Sequence, residues 1–177
     1  MIPADPTTAV LAYAAVYAGH HAGDYLLQSD HQALNKGRCG REGRMACTRH
    51  VLTLTIAQAL ALTLALGATG TAVSPWAVLA GLGINAVTHW WTDRRQTLRG
   101  LVVATEWMTA KTGYYDNVPG GAERMDQAFH VAWMIPAALA SAAPPPLALA
   151  IAAASGALLA AADVASRRAR SRLTPTA

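Results

Sequence analysis

Charge is scarce in this chain. Asp, Glu, Lys and Arg make up 14% of its 177 residues, where a soluble domain carries about 25%. A globule of this size with so few charges is hard to keep in solution. Disorder is excluded as well, because 53% of the residues are apolar. Two cysteines, Cys39 and Cys47, cannot make a disulfide scaffold. They read as free thiols, at a spacing that does not suit zinc. A single Phe and a bulk of Ala, Leu and Val argue against strands and for helices. No basic residue precedes the first apolar run, so a cleavable secretory leader is not expected. No repeat at solenoid spacing is visible.

The net charge of +4 could suggest nucleic acid, but its placement argues otherwise. All fourteen basic residues fall in three clusters, at 36–49, 94–124 and 167–172. Between them lie runs without Lys or Arg at 7–27, 51–71, 75–92, 126–143 and 147–164, each close to the roughly 17–25 residues that a spanning helix needs. The fourth is the weakest, short and interrupted by Pro136. Five spans put every basic residue on one side, which the positive-inside rule makes cytoplasmic. The expectation is therefore an all-α, multi-pass cell-membrane bundle of five spans (residues 1–166), with the N-terminus outside and the C-terminus inside. A basic cytoplasmic tail at 167–177 follows it, membrane lipids are its partners, and no nucleic acid is expected. Segment 98–115 carries a loose apolar stripe and reads as an amphipathic helix in the inner interface, with a substrate lid as the alternative. A soluble bundle of buried helices is the alternative to the membrane.

Ionisable residues inside spans are costly and usually functional. Here they recur in pairs four apart, on one helix face: His20 with Asp24, His89 with Asp93, and Asp126 with His130. His50 opens the second span at the same depth. Antiparallel spans bring all seven to the cytoplasmic edge, where facing helices can build a metal site. Imidazoles mixed with carboxylates suit Zn, Mn or Fe better than Ca or Mg. The candidate ligands are His20, Asp24, His50, His89, Asp93, Asp126 and His130, for one or two divalent transition-metal ions. Asp24, Asp93 or Asp126 is the candidate general base, and some of the three could instead orient imidazoles. His21 competes with His20, being three before Asp24. Asp163 could add a carboxylate or pair with the arginine tail. Asp30, Lys36, Arg44 and Arg49 could meet an anionic substrate or lipid headgroups.

The stretch His20-His21-Ala22-Gly23-Asp24-Tyr25-Leu26-Leu27-Gln28-Ser29-Asp30, with Lys36 after it, resembles the opening motif of a bacterial membrane family known as domain of unknown function 3307. His50, His89-Trp90-Trp91-Thr92-Asp93 and Asp126-Gln127-Ala128-Phe129-His130 are similar to its later elements, so the likeness reaches from about residue 10 to 135. It implies a small polytopic membrane protein without a settled activity. More distantly the pattern resembles the membrane-bound metal-dependent hydrolases, which would imply metal-assisted hydrolysis. The functional expectation is a metal-dependent hydrolase acting on a lipid or amphipathic substrate. A divalent-cation transporter and a non-catalytic membrane scaffold are the alternatives.

Overall fold

Short capping signals set the helix boundaries. Asp5 accepts the Thr8 amide at 2.7 Å and Pro6 occupies the first turn, so α1 runs Pro6–His21. Its axis continues as a π-helical turn, Ala22–Leu27. Ser29 and Gln32 form a capping box at the start of α2, Asp30–Asn35. The long α3, Gly40–Thr69, ends on Gly70 at φ 64°, and α4 follows as Pro75–Asp93. Then come α5 (Gln96–Ala104), α6 (Glu106–Thr109), α7 (Thr112–Asn117), α8 (Gly121–Ser141) and α9 (Pro145–Leu173). The computed structural model describes residues 3–173, and among these it is all-α, with nine α-helices and no strand.

The five long helices pack as a bundle. α1 lies along α3 and α8, α4 lies between α3, α8 and α9, and α5 lies on α9. One apolar core joins α4, α8 and α9 through Ile84, Trp91, Trp133, Ala137 and Leu159. A smaller one joins α1, α3 and α8 through Ala12, Ala15, Leu62 and Ala138. Gly19 and Gly23, four apart on α1 and its π turn, permit a close crossing with α3. A Cβ on Gly19 would stand 2.6 Å from the Gln58 backbone, and one on Gly23 would stand 2.9 Å from Leu54. This is the small-xxx-small spacing of tightly crossed helices.

Burial is inverted relative to a soluble bundle. His20, Asp24, His50, Gln58, Asn85, His89, Asp93 and His130 are buried. Large apolar side chains face out on every long helix: Val10 on α1; Leu52, Ile56, Leu60 and Leu64 on one face of α3; Trp76 and Leu79 on α4; Ile135 on α8; Leu149 and Leu158 on α9.

Several boundaries differ from the sequence expectation. Only α3 and α9 are long and apolar enough to cross a membrane by length and composition, not five helices. In α1 the regular α-helix is 16 residues, while α4 and α8 carry the polar and charged residues that turn inward, which lowers their hydropathy. Arg167–Arg172 form no separate tail but continue α9 to Leu173; residues 174–177 of the expected tail lie outside the described residues. Segment 98–115 is three short helices and not one, because the chain turns at Thr105 and at Ala110, where φ is 50°. Leu98 and Val102 are buried, whereas Trp107 and Met108 are exposed.

Candidate metal centre

Four helices aim polar side chains at one point. Asp24 comes from the π turn, His50 from α3, His89 and Asp93 from α4, and His130 from α8. π-turns are frequent at functional sites because they shift a side chain off the regular helical face. The His50 and His89 Nε2 atoms are 3.1 Å apart. Asp24 Oδ1 lies 3.0 Å from His50 Nε2 and 3.6 Å from His89 Nε2. Asp93 Oδ2 lies 3.3 Å and 3.2 Å from the same two nitrogens. Four ligand atoms arranged tetrahedrally around a metal at about 2.0–2.1 Å stand about 3.3 Å from one another. The three separations within Asp24–His50–His89, 3.0, 3.1 and 3.6 Å, bracket that value.

Orientation says the same. Asp24 Oδ1, Asp93 Oδ2 and His130 Nε2 are buried without an aligned hydrogen-bond partner among the described residues, although imidazoles or carboxylates stand close by. Close approach without alignment is what donors directed at a common centre produce. Two triads result, Asp24–His50–His89 and His89–Asp93–His130, and either could hold a metal ion.

Charge adds a reason. Asp24 and Asp93 are two carboxylates with side chains 4% and 0% exposed. Lys36 places its ammonium 2.9 Å from Asp93 Oδ1 and 3.5 Å from His50 Nε2. Burial opposes the lysine charge, but Asp93 and Asp24 outweigh it and hold its pKa above the ordinary lysine value. One ammonium against two buried carboxylates leaves a negative charge that a cation would compensate.

His20 and Asp126 flank the triads. The Gln127 amide donates to Asp24 Oδ2 at 3.0 Å, so its carbonyl oxygen, 3.2 Å from His20 Nε2, accepts that imidazole's proton. His20 therefore steadies Asp24 with a protonated Nε2. Asp126 Oδ2 is 3.2 Å from His130 Nε2, and its side chain is 21% exposed. His21 turns away, bonding the Tyr17 carbonyl and packing on the Tyr17 ring. Asp163 accepts from the Trp91 indole and pairs with Arg167, so it adds nothing to the cluster. His31 contacts Asn35 of its own short helix. Cys39 is exposed and Cys47 buried, both as free thiols.

Sequence reasoning gave no role to Gln127 or Gln58. Gln58 donates to the Val16 carbonyl and accepts from Asn85, tying α1, α3 and α4 one turn outward of the cluster. A glutamine in the middle of a charge-free run was the available signal. For Lys36 the sequence leaves an anionic substrate or lipid headgroups as partners, whereas its ammonium reaches into the cluster itself. A cleft of about 510 Å³ opens over the site; Asp24, Lys36, Asp93, Asp126, Tyr25 and Tyr115 are among the residues that line it.

Comparisons with protein-family models, with curated proteins and with solved structures found no match to this chain.

Proposed function

We propose that the protein is a five-span membrane protein, N-terminus outside and C-terminus cytoplasmic, that binds a divalent transition metal and hydrolyses a lipid or amphipathic substrate. The inverted burial supports the membrane. Large apolar side chains face outward on all five long helices, including the three that are not both long and apolar enough to count as spans by themselves. α3, about 45 Å long by its 30 residues, exceeds the roughly 30 Å hydrocarbon layer, and its charged first turns extend to the basic side. The kinship with domain of unknown function 3307 belongs to this proposal, on the motifs quoted above.

The Asp24–His50–His89 triad beneath an open cleft is the observation that carries the enzymatic reading, because three protein ligands leave a fourth position for water. Asp24, His50 and His89 would hold the divalent ion, which would supply a bound water of lowered pKa and polarise a carbonyl or phosphoryl oxygen. Asp126 is the acid of the cluster with most access to the cleft, so it takes the general-base role. His20 and Gln127 hold Asp24 in place. Transport is disfavoured because Gln58 and Asn85, just beyond the cluster, bond each other and the Val16 carbonyl.

Elemental analysis of the detergent-solubilised chain, with metal-dependent turnover of a lipid panel, tests this reading. Near one or two equivalents of Zn, Mn or Fe with turnover abolished by chelation is expected. A folded chain without metal leaves the helix-tying scaffold. Metal without turnover, but with metal flux into liposomes, leaves the transporter.

A further inference from the structure

Two arginines follow Asp93, and their situations differ. Arg94 donates to the carbonyls of Lys36 and Arg38 and lies over the Trp90 ring, so it ties α4 to the first cytoplasmic loop. Arg95 does none of this. Its backbone has φ 51° and ψ −52°, in the region that L side chains rarely adopt. The side chain lies across Gly37, where an added Cβ would stand 2.7 Å from Arg95 Cδ. A glycine therefore leaves room for the arm immediately beside Lys36. The Tyr115 hydroxyl donates to the Arg95 carbonyl at 3.4 Å, holding the turn from α7.

The described ion pairs of lysine and arginine are Lys36–Asp93, Arg99–Asp116 and Arg167–Asp163, and Arg95 is in none of them. It nevertheless lines the cleft above the metal centre. Of the cleft's other acids, Asp116 is occupied by Arg99 and Asp126 by His130, which leaves Glu123 at the exposed rim. A guanidinium and an ammonium thus line the same cleft as the candidate ligands Asp24 and Asp93.

We propose that Arg95, with Lys36 behind it, binds the phosphate of a phosphate-ester substrate, and that the unfavourable turn at residue 95 is retained because it aims the guanidinium into the cleft. This rests on the hydrolase reading for the identity of the neighbouring centre. The chemistry selects the class. A carboxylic ester or amide is neutral and needs no cation beyond the metal. A phosphate ester keeps negative charge on the group that water attacks, and guanidinium matches two of its oxygens at once. At the inner membrane edge the ester is either a lipid headgroup or a soluble phosphate compound.

Binding is measured on the full-length chain in detergent, with and without chelator, using inorganic phosphate, dioctanoyl phosphatidic acid and neutral dioctanoylglycerol. Arg95→Gln is expected to weaken both phosphate probes at least tenfold while metal content and the neutral probe are unchanged. Arg95→Gly removes the arm and accepts the turn without strain, so it should lose the same affinity with an unchanged or higher Tm, which covers the case of a misfolded Arg95→Gln. Arg41→Gln, an exposed arginine outside the cleft, should bind as the parent does. Preference for phosphatidic acid over inorganic phosphate assigns a lipid headgroup; equal binding assigns a soluble ester. The proposal is overturned by unchanged phosphate affinity in a folded Arg95 variant, by an equal loss in Arg41→Gln, or by tighter binding of the neutral lipid. Absence of metal in the parent chain sinks the hydrolase reading instead, and the chelated arm still scores Arg95 alone.

Discussion

Replacing Asp93 by asparagine keeps the shape of the side chain and removes one buried charge. Asp93 stands 2.9 Å from Lys36 Nζ, 3.3 Å from His50 Nε2, 3.2 Å from His89 Nε2 and 3.6 Å from His130 Nε2. It belongs to the second triad directly and lies close to two ligands of the first, His50 and His89. Removing one partner from a buried charged pair costs about 3–5 kcal/mol. At about 1.4 kcal/mol per tenfold, metal affinity should fall by roughly two to three and a half decades. Chelator competition followed by elemental analysis reads the affinity, and helical circular dichroism with solubilised yield reads the fold. Asp163→Asn is the control: it also removes a carboxylate, but one bonded to Trp91 and Arg167, and should leave metal content unchanged. Asp126→Asn should retain most metal and lose turnover, because Asp126 flanks the triads. A folded Asp93→Asn protein with parental metal affinity refutes the metal centre. Equal metal loss in Asp163→Asn refutes the assignment of the loss to this site.

Three further outcomes are expected. Gly19→Ala drives a Cβ to 2.6 Å from the Gln58 backbone, so it should destabilise by about 1–3 kcal/mol and lower Tm together with metal content. In a Cys47→Ser background, exposed Cys39 should react with an impermeant maleimide in inverted vesicles and not in intact cells; the reverse pattern overturns the proposed orientation. The Arg99 hydrogen bond holds the Asp116 pKa below the ordinary carboxylate range. The stabilisation is therefore present above the unfolded-state value of about 4 and lost as pH falls through the depressed folded-state value. Amide exchange in α7 should rise on that acid side, and Asp116→Asn should abolish the dependence.

How much of this was readable beforehand depends on the kind of signal. The pairs His20/Asp24, His89/Asp93 and Asp126/His130 were visible because a helix repeats its face every four residues. His50 was visible because it opens an apolar run at the same depth. Choosing between His20 and His21 was not possible, because spacing permits both. It took the Gln127 bridge and the Tyr17 carbonyl to separate them. The three short helices after α4 were equally hidden, since Ala110 at φ 50° is a backbone choice that an alanine does not announce. Lys36 lay within the quoted motif, but only the fold of α2 against α3 brings its ammonium to Asp93.

On the proposed five-span reading, the cluster accounts for helices that look too polar to be spans. In water an exposed His-x-x-x-Asp pair costs little, so a soluble bundle gains little by burying two such pairs and leaving leucines outside. In lipid the preference reverses: outward side chains must be apolar, and each inward charge needs a partner in another helix. α1, α4 and α8 obey both requirements at once, Val10, Trp76 and Ile135 facing out while Asp24, Asp93 and His130 meet inside. Averaging over the whole helix mixes the two faces and lowers the hydropathy of α4 and α8, while α1 also falls short in length, its regular helix ending at His21 before the π turn. α9 escapes because it brings no ligand, and α3 escapes because its single ligand, His50, precedes a long apolar run. On this account the helices richest in site residues are those that a hydropathy window recognises least.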